Sequence, residues 1–269
     1  MGTGSPDRGE WHGLIADRVD PVDGPKLAVI VAEAGSTWSS PVRVTGSDQR
    51  DYFAKFPEAC AGPNQMSVVT EMIVARAGRM IGAPTCETVI MVVPSELRGE
   101  ELKPGVNITS TVVHASVALD HCDERRPELP LRRRDDNSRR HVGCYAIFDW
   151  FMGCDQQWLR DLDDDQATYS HDHGLYLPPV NYGYWTEQDL QAEVDVAWSL
   201  SDSPAGLSPV AVDEVASALR GVTRDDLRAL LQAVPASWAV TNEQLEGLGW
   251  FLECRAPAVA GRIENLVST

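Results

Sequence analysis

The sequence predicts an α+β fold with two lobes, the first rich in strands and the second mainly helical. Strand-like alternation of apolar residues is concentrated before residue 120, whereas helical periodicity dominates after residue 187. The two kinds of element do not alternate along the chain, which argues against a parallel βαβ sheet. A chain of 269 residues is long enough for one large domain or two small lobes.

The first lobe is predicted to contain three strands, a helix and two more strands. The helix covers 66–81, where apolar residues follow helical spacing until Gly-Ala-Pro ends it. The predicted strands are 27–35, which is apolar enough to be buried, the Pro-Val-Arg-Val run at 41–44, and the segments 50–58, 87–94 and 106–119.

Composition sets the domain boundaries. Residues 1–12 are predicted to be a flexible N-terminus, 13–119 the first lobe and 142–269 the second. The segment 120–141 between the lobes is dense in charges of both signs and contains two prolines. This composition predicts an exposed insertion that is partly disordered.

The second lobe is predicted to begin with an apolar helix at 142–153. A polar acidic loop at 155–166 follows it, and then a short strand and a turn in 167–179. After residue 187 the chain is mostly helical. Two helix starts carry a capping-box pattern: Thr223 with Asp226, and Thr241 with Gln244.

The net charge of −17 argues against nucleic acid as a partner, because binding its phosphates requires clustered Lys and Arg. It also disfavours an anionic membrane surface. A nucleotide is not excluded, since a triphosphate arrives with Mg²⁺ and needs only a locally basic pocket. No apolar run approaches the roughly 18 residues of a membrane helix. The start of the chain lacks a signal-peptide pattern, so we expect a cytoplasmic protein.

The six cysteines form no C-x-x-C pair and match no standard zinc spacing. Reduced thiols are therefore expected. A zinc site built from Cys144 and Cys154 with nearby histidines is the alternative.

Lys55 is one of three lysines in a chain with 20 arginines, and it lies in an apolar strand next to Phe56. A desolvated ammonium needs a partner, because an unpaired buried charge is costly. Glu71 lies within the apolar helix and is expected to point inward. A strand Lys held by a helix Glu is the arrangement that aims an amine at nucleotide phosphates. Alternatively, Lys55 extends from a sheet edge to water and Glu71 lies on a solvated flank.

Three aspartates are candidates for metal binding and catalysis. Asp155 follows a Gly-Cys turn, Asp172 lies in Ser-His-Asp-His-Gly at 170–174, and Asp161 lies between them. Mg²⁺ takes carboxylate and phosphate oxygens. Phosphoryl transfer needs one Asp to orient the attacking hydroxyl and another to hold the metal. The alternative is an acidic surface loop with an ordinary turn.

Gly35, Ser36 and Thr37 follow the first predicted strand, where a phosphate-binding loop would lie. Backbone amides of such a turn can hold phosphate. Neither G-x-G-x-x-G nor the Walker pattern is present, so a plain hairpin turn is the alternative.

Along the chain, the order is a strand with Lys55, a helix with Glu71, a loop with Asp155 and a turn with Asp172. This order resembles that of the motifs in HipA-like kinases and, more loosely, in phosphatidylinositol 3/4-kinase-like catalytic domains. TEMIVARAGRMIGAP at 70–84 is similar to their Glu-bearing helix, and FDWFMGCDQQW at 148–158 to their catalytic loop. SHDHGLYLP at 170–178 is similar to their metal-binding turn, and LQAVPASW at 231–238 to part of their C-terminal helices. The resemblance covers about residues 14–240, except for the charged segment.

The resemblance implies a two-lobed protein-kinase-like fold whose first lobe binds ATP with Mg²⁺. Lys55 would contact the α- and β-phosphates and pair with Glu71, while Asp155 would be the catalytic Asp and Asp172 would ligate Mg²⁺. The other nucleotide contacts that the resemblance implies are Gly35, Ser36 and Thr37 at the phosphates, and the segment 112–116, with Val113 and His114, near the hinge that holds adenine.

The metal site departs from the family pattern. Arg160 stands in the place of the family's Asn, and Asp161 would supply an oxygen ligand after a shift of one residue. Gln157 replaces the basic residue expected two places after Asp155. The predicted function is transfer of the γ-phosphate of ATP to a hydroxyl, most simply that of Ser or Thr in a protein or peptide. The alternatives are a nucleotide-binding pseudokinase and a nucleotidyltransferase that moves AMP; the acceptor is not readable from the sequence.

Overall fold

The computed structural model describes residues 6–31, 39–60, 62–125, 128–129 and 131–267. The strands of the first lobe are β1 (Leu27–Ile30), β2 (Val42–Gly46), β3 (Asp51–Lys55), β4 (Thr88–Val92), β5 (Glu101–Lys103), β6 (Val106–Asn107) and β7 (Val112–Val117). Five of them form an antiparallel sheet in the order β1-β2-β3-β7-β4, and β5 pairs with β6 in a separate ribbon.

The second lobe contains a three-stranded antiparallel sheet and most of the helices. Its strands are β8 (Cys122–Arg125), β9 (Trp158–Asp161) and β10 (Ala167–Ser170), with β9 in the middle. The helices of the protein are α1 (Ser67–Met80) in the first lobe, and α2 (Asn137–Trp150), α3 (Glu187–Glu193), α4 (Pro209–Gly221), α5 (Arg224–Gln232) and α6 (Asn242–Glu264) in the second. The predicted α+β class with a strand-rich first lobe and a helical second lobe is confirmed.

Helix α6 is the centre of the second lobe, where it packs against α2, α4 and α5. Both predicted capping boxes are present, with the Thr223 and Thr241 hydroxyls accepting hydrogen bonds from the backbone N–H of Asp226 and Gln244. Among the described residues, no helix combines the length and the apolar character needed to cross a bilayer.

Strand β3 shows how alternation builds the sheet. Tyr52 and Ala54 are fully buried in a small core on one face, together with apolar residues of β2 and β7. Phe53 and Lys55 point to the opposite face, which helix α1 and the second lobe cover. Strand β1 is shorter and less buried than predicted, because it ends at Ile30 and only Leu27 is buried.

Most described residues between 120 and 136 are exposed, as the composition predicts, but the segment 120–141 contains regular structure. Strand β8 lies in it and pairs with β9, and helix α2 begins within it, with Asn137 and His141 fully buried. Its charges neutralise one another locally, as in the 2.8 Å pair between Arg140 and Asp135. Balanced charges of both signs can therefore accompany regular structure.

The chain start also departs from the prediction of a flexible end. Residues 8–11 form a 3₁₀ helix, and the Trp11 ring is 1% exposed. A Cβ at Gly249 of α6 would lie 2.2 Å from that ring, so only glycine permits this contact. Arg18, assigned to the first lobe by the sequence, donates hydrogen bonds to Asn242 and to the Val240 carbonyl. The segment before β1 is therefore packed on the second lobe, although residues 1–5 lie outside the described residues.

A buried charge cluster ties α2 to α6. Asp149 is 4% exposed, and its carboxylate lies 3.1 Å from Arg255 Nη2 and 2.6 Å from Arg262 Nε. Arg255, which is 1% exposed, also donates to backbone carbonyls that include those of Trp150 and Val196. The guanidinium of Arg255 has no access to water and depends on these partners for its charge.

Replacing Asp149 with Asn is expected to lower the free energy of unfolding by about 3–5 kcal/mol, because it leaves the Arg255 charge buried without a counter-ion. Urea denaturation followed by circular dichroism measures the change. The matched control is Glu264→Gln, which breaks the exposed pair with Arg220 and is expected to leave the midpoint almost unchanged. Equal midpoints for Asp149→Asn and the unaltered protein would show that the cluster does not stabilise the lobe.

Candidate active site

Lys55 is the last residue of β3, the central strand of the five-stranded sheet, and it is 6% exposed. Its backbone pairs with His114 of β7. The alternative in which the ammonium extends from a sheet edge into water is therefore excluded.

The Lys55 ammonium lies between two carboxylates, with Nζ 2.7 Å from Glu71 Oε2 and 2.6 Å from Asp172 Oδ1. Burial opposes the charge on Lys55, but Asp172 and Glu71 outweigh it and raise the pKa of the amine. Burial likewise acts to raise the pKa of Glu71, yet Lys55 and His173 hold it well below the ordinary value. The pKa of Asp172 is also lowered, because Lys55 more than offsets its burial. All three groups are therefore charged at neutral pH.

Asp172 reaches Lys55 because the end of β10 is fixed to the segment that follows α1. The Ser170 N–H donates to the Pro84 carbonyl at 2.7 Å, and Ser170 also forms a β-bridge with Thr85. The chain turns at Asp172, which has a φ of 55°. Asp tolerates this left-handed conformation better than most residues do.

The two residues after Asp172 pack against the Glu71 side of the site. His173 is 1% exposed, with Nε2 2.8 Å from Ser170 Oγ and Nδ1 3.5 Å from Glu71 Oε1. A Cβ at Gly174 would lie 3.2 Å from the Ser67 side chain and 3.6 Å from Glu71 Oε2. The small residue thus allows the turn to approach the start of α1.

A cavity of about 300 Å³ lies between the sheet and the second lobe. Part of its wall is formed by Lys55, Glu71 and Asp172, which together are called the Lys55 cluster. This volume is at the lower end of the range for small-molecule sites. Its remaining lining residues are Pro41, Phe53, Ala75, Cys86, Thr88, Ser116, Val117 and Leu119 from the first lobe side, and Cys122, Glu124, Gln157, Leu159, Ser170, His171 and His173 from the segments around β8 to β10. Burial lowers the pKa of His171 to about 4, so this imidazole is neutral at pH 7.

Asp155 lies beside the cavity rather than among its lining residues. It is exposed, has a φ of 45°, and accepts a 2.7 Å hydrogen bond at Oδ2 from Gln157 Nε2. Gln157 is 4% exposed and does line the cavity. The structure thus connects Asp155 to the cavity through Gln157, whereas it brings Lys55, Glu71 and Asp172 into direct contact.

The structure does not place Asp161, the other predicted metal ligand, among the residues that line the cavity with Asp172. The pairing of β9 with β10 sets Trp158 opposite Ser170 and Asp161 opposite Ala167. Asp161 is therefore three residues, or about 10 Å, further along the hairpin. Its carboxylate instead accepts a hydrogen bond from the Asp163 N–H at 3.0 Å, in the turn that follows β9.

Val113 and His114 do not line the cavity, whereas Ser116, the last residue of the predicted hinge segment 112–116, does. Val113 belongs to the core on the other face of the sheet, and His114 is buried beneath the Lys55 row without lining the cavity. The wall is formed instead by Ser116, Val117 and Leu119. Gly35, Ser36 and Thr37 lie outside the described residues, so their predicted contact with phosphate stays a prediction.

Sequence reasoning missed several cavity residues that share a face with Lys55. Phe53 precedes Lys55 by two positions on β3, so strand alternation could have identified it. Ser116 lies in the predicted hinge segment 112–116, whereas Thr88 follows from strand pairing, which a single sequence does not reveal. Gln157 was noted only as a departure from a family pattern, yet it lies inside the cavity wall.

The architecture is similar to that of a known kinase. The crystal structure of a Helicobacter pylori proinflammatory kinase, CtkA, matches with a TM-score of 0.55 over 90% of this chain and 97% of that chain. The protein has a kinase-like fold. The sequence identity is 10%, so the likeness shows the fold alone. No family model matches the sequence, and no curated protein matches it either.

Proposed function

We propose that the protein is an ATP- and Mg²⁺-dependent phosphotransferase of the HipA-like kind, which transfers the γ-phosphate to a Ser or Thr hydroxyl of a protein or peptide. The observation that carries the proposal is the buried ammonium of Lys55, held between Glu71 and Asp172 at the wall of the cavity. The kinase-like fold agrees with the proposal, but the argument rests on the site.

The Lys55 cluster suits a polyphosphate ligand. Glu71 holds the ammonium in place, so the chain does not have to order a flexible side chain when the nucleotide binds. A fixed positive charge in a water-poor cavity stabilises phosphate charge more strongly than it would in water. Lys55 would therefore contact the α- and β-phosphates, with the γ-phosphate extending toward Asp155.

The donor atoms near Asp172 fit Mg²⁺, which binds one or two protein oxygens and completes its shell with waters and substrate phosphates. Asp172 offers a carboxylate, and the Gln157 amide lies in the same cavity wall. In the part of the chain that the structure describes, no group of three or more His, Cys, Asp or Glu is arranged to hold a metal ion. Asp172 and Gln157 would thus hold the ion together with the nucleotide, and the ion would supply charge neutralisation at the phosphates.

Asp155 is the proposed catalytic residue. Its carboxylate is exposed beside the cavity, where an acceptor hydroxyl can approach from solvent. The hydrogen bond from Gln157 fixes its orientation, as an aspartate that orients the attacking hydroxyl requires. The acceptor can be a small alcohol instead of a peptide, since the chemistry at Asp155 is the same.

Transfer of radioactive label from ATP tests the proposal. We expect label from the γ-phosphate to appear on the protein itself or on a panel of Ser/Thr peptides, and we expect Asp155→Asn to abolish transfer while nucleotide binding is retained. Transfer of label from the α-phosphate would instead identify a nucleotidyltransferase. Nucleotide binding with no transfer of either label would reject the enzyme.

The residues near Asp155 also support a second candidate, a nucleotide-binding pseudokinase that acts through protein contacts. Gln157 offers a neutral amide, and Arg160 pairs with Asp123 and cannot bind a metal. A weakly held Mg²⁺ leaves binding intact and transfer slow. Binding without transfer in the labelling experiment favours this candidate.

A further inference from the structure

Asp155 lines a second hollow, of about 550 Å³, which shares none of its described lining residues with the Lys55 cavity. Gln157, which does line that cavity, donates the hydrogen bond that orients the Asp155 carboxylate. Asp155 therefore stands at the boundary between the proposed nucleotide site and this second hollow, which is called the Asp155 hollow. A molecule that brings a hydroxyl to Asp155 from solvent has this hollow to bind in.

Apolar side chains from three separate segments wall the Asp155 hollow. Phe148 lies near the end of α2, Val180 follows the turn at Asp172, and Trp198 lies in the segment after α3. Val180 and Trp198 are half-buried, so both present surface that a ligand can cover. An apolar group placed against them leaves water, and the gain in free energy grows with the area covered.

The Trp198 ring is held in place without a ligand. Its Nε1 donates to the Gly153 carbonyl at 2.7 Å, and its backbone N–H donates to Asp149 Oδ1 at 3.3 Å. A Cβ at Gly153 would lie 2.5 Å from the Phe148 ring, so a glycine is needed for the chain to cross this close to Phe148. Because the indole is already fixed, little conformational entropy is lost when a ligand packs on it.

The polar groups of the hollow suit a peptide backbone. Gln156, Asn181 and Ser201 supply two amides and a hydroxyl, and each of these side chains can both donate and accept hydrogen bonds. Burial raises the pKa of the Cys154 thiol to about 11, so this lining residue is neutral at pH 7. Among the described lining residues, Asp155 alone is charged, and its carboxylate repels an anion. The hollow therefore favours a neutral or basic acceptor over a phosphorylated alcohol.

The hollow continues along the second lobe. Gln156 and Ser201 also line a neighbouring hollow of about 560 Å³, together with residues that include Leu129, Arg132 and Asp202. The two hollows are therefore adjacent, and together they offer more space than a small alcohol fills. An extended chain advances about 3.3 Å per residue, so this surface accommodates several residues of a peptide.

We propose that the acceptor is a Ser or Thr in an extended peptide segment that carries a large apolar residue within two positions of the hydroxyl. The inference rests on the proposed function and names its substrate class. Side chains two positions apart on an extended chain share a face and lie about 7 Å apart. With the hydroxyl at Asp155, the apolar neighbour packs on Trp198 and Val180. Transfer bonds the acceptor oxygen to the γ-phosphorus, breaks the bond from that phosphorus to the bridging oxygen, and releases ADP and the hydroxyl proton.

Transfer from γ-labelled ATP to matched peptides, with the full chain as enzyme, tests the inference. The peptides carry one Ser in a background of Gly and Lys. Leu or Ala is placed in turn at each of the two positions on either side of the Ser, and glycerol serves as the small alcohol. At the preferred position, Leu is expected to raise kcat/KM at least about tenfold over Ala.

Val180→Asp adds a carboxylate to the apolar wall and is expected to reverse the preference, so that Lys at that position exceeds Leu. Misfolding would lower transfer to all peptides alike and cannot produce a reversal. Trp198→Ala is expected to reduce the preference for Leu over Ala to less than about threefold. The matched control is Val210→Asp on α4, where the valine is 58% exposed and lies outside the hollow, and it should retain the preference for Leu.

The outcomes separate this inference from the proposed function. Equal transfer to the Leu and Ala peptides at every position, better transfer to glycerol than to any peptide, or label on the protein alone rejects the inference, while phosphotransfer stands. A preference for Leu that is unchanged in both Val180→Asp and Trp198→Ala also rejects the role of the hollow. If no peptide, no alcohol and not the protein itself takes up label, the proposed function is rejected and this inference with it.

Discussion

Replacing Asp172 with Asn is expected to lower the rate of phosphoryl transfer at least about a thousandfold. Asp172 Oδ1 lies 2.6 Å from Lys55 Nζ, and the same carboxylate is the proposed ligand of Mg²⁺. The amide keeps the size of the side chain but removes the charge that attracts the ion and balances Lys55. Single-turnover transfer from γ-labelled ATP, at saturating nucleotide, measures the loss.

Asp161→Asn is the matched control for this experiment. Asp161 is also an aspartate of the acidic segment, but it is the last residue of β9, and its Oδ1 accepts a hydrogen bond from the Asp163 N–H in the turn that follows. The asparagine retains that oxygen, so transfer is expected to stay within about twofold of the unaltered rate. A similar loss in both variants, or transfer by Asp172→Asn within tenfold of normal, would contradict the assigned role of Asp172.

Lowering the pH from 6.5 to 5.0 is expected to decrease the free energy of unfolding by about 5 kcal/mol. Burial lowers the pKa of His114 and of His141 to about 3 and that of His171 to about 4. Below pH 6.5 the unfolded chain binds protons at all three residues, whereas the folded chain binds almost none above pH 5. Stability therefore falls as the pH falls, by about 1.4 kcal/mol per pH unit for each histidine.

Urea denaturation at several pH values measures this slope. The lowered carboxylate pKa values of Glu71 and Asp172 act in the same direction, but only below about pH 4.5, where free carboxylates become protonated. The window above pH 5 thus reports the histidines. His114→Leu is expected to lower the slope by about a third, and it should fold, because neither ring nitrogen of His114 has a hydrogen-bond partner among the described residues. A slope that is unchanged in this variant would show that His114 is not the buried neutral group assigned here.

The sequence predicted the Lys55 cluster well because each part has a local signal. Alternation in β3 set Lys55 on the face opposite Tyr52 and Ala54, and the apolar surroundings of Glu71 in α1 indicated that it points inward. Asp172 was marked by its short motif. The β-bridge between Thr85 and Ser170 brings Asp172 to Lys55, and no local pattern in the sequence indicates this bridge.

The errors in the sequence reasoning have physical causes. Asp161 and His114 do not line the cavity, because strand pairing and burial, not spacing along the chain, decide which residues border it. The regular structure within 120–141 was not predicted, because its charges pair with one another and β8 pairs with β9. Trp11 was assigned to a loose end because its partner surface at Gly249 lies 238 positions later in the chain.

The account depends on the cavity between the lobes being a nucleotide site, and a crystal structure of the complex with Mg²⁺ and a non-hydrolysable ATP analogue tests this most directly. The expected result has phosphate oxygens within hydrogen-bond distance of Lys55 Nζ, about 3 Å, and Mg²⁺ bound to Asp172. A nucleotide bound elsewhere on the protein, or a Lys55–Asp172 cavity that stays empty at saturating ligand, would contradict the account.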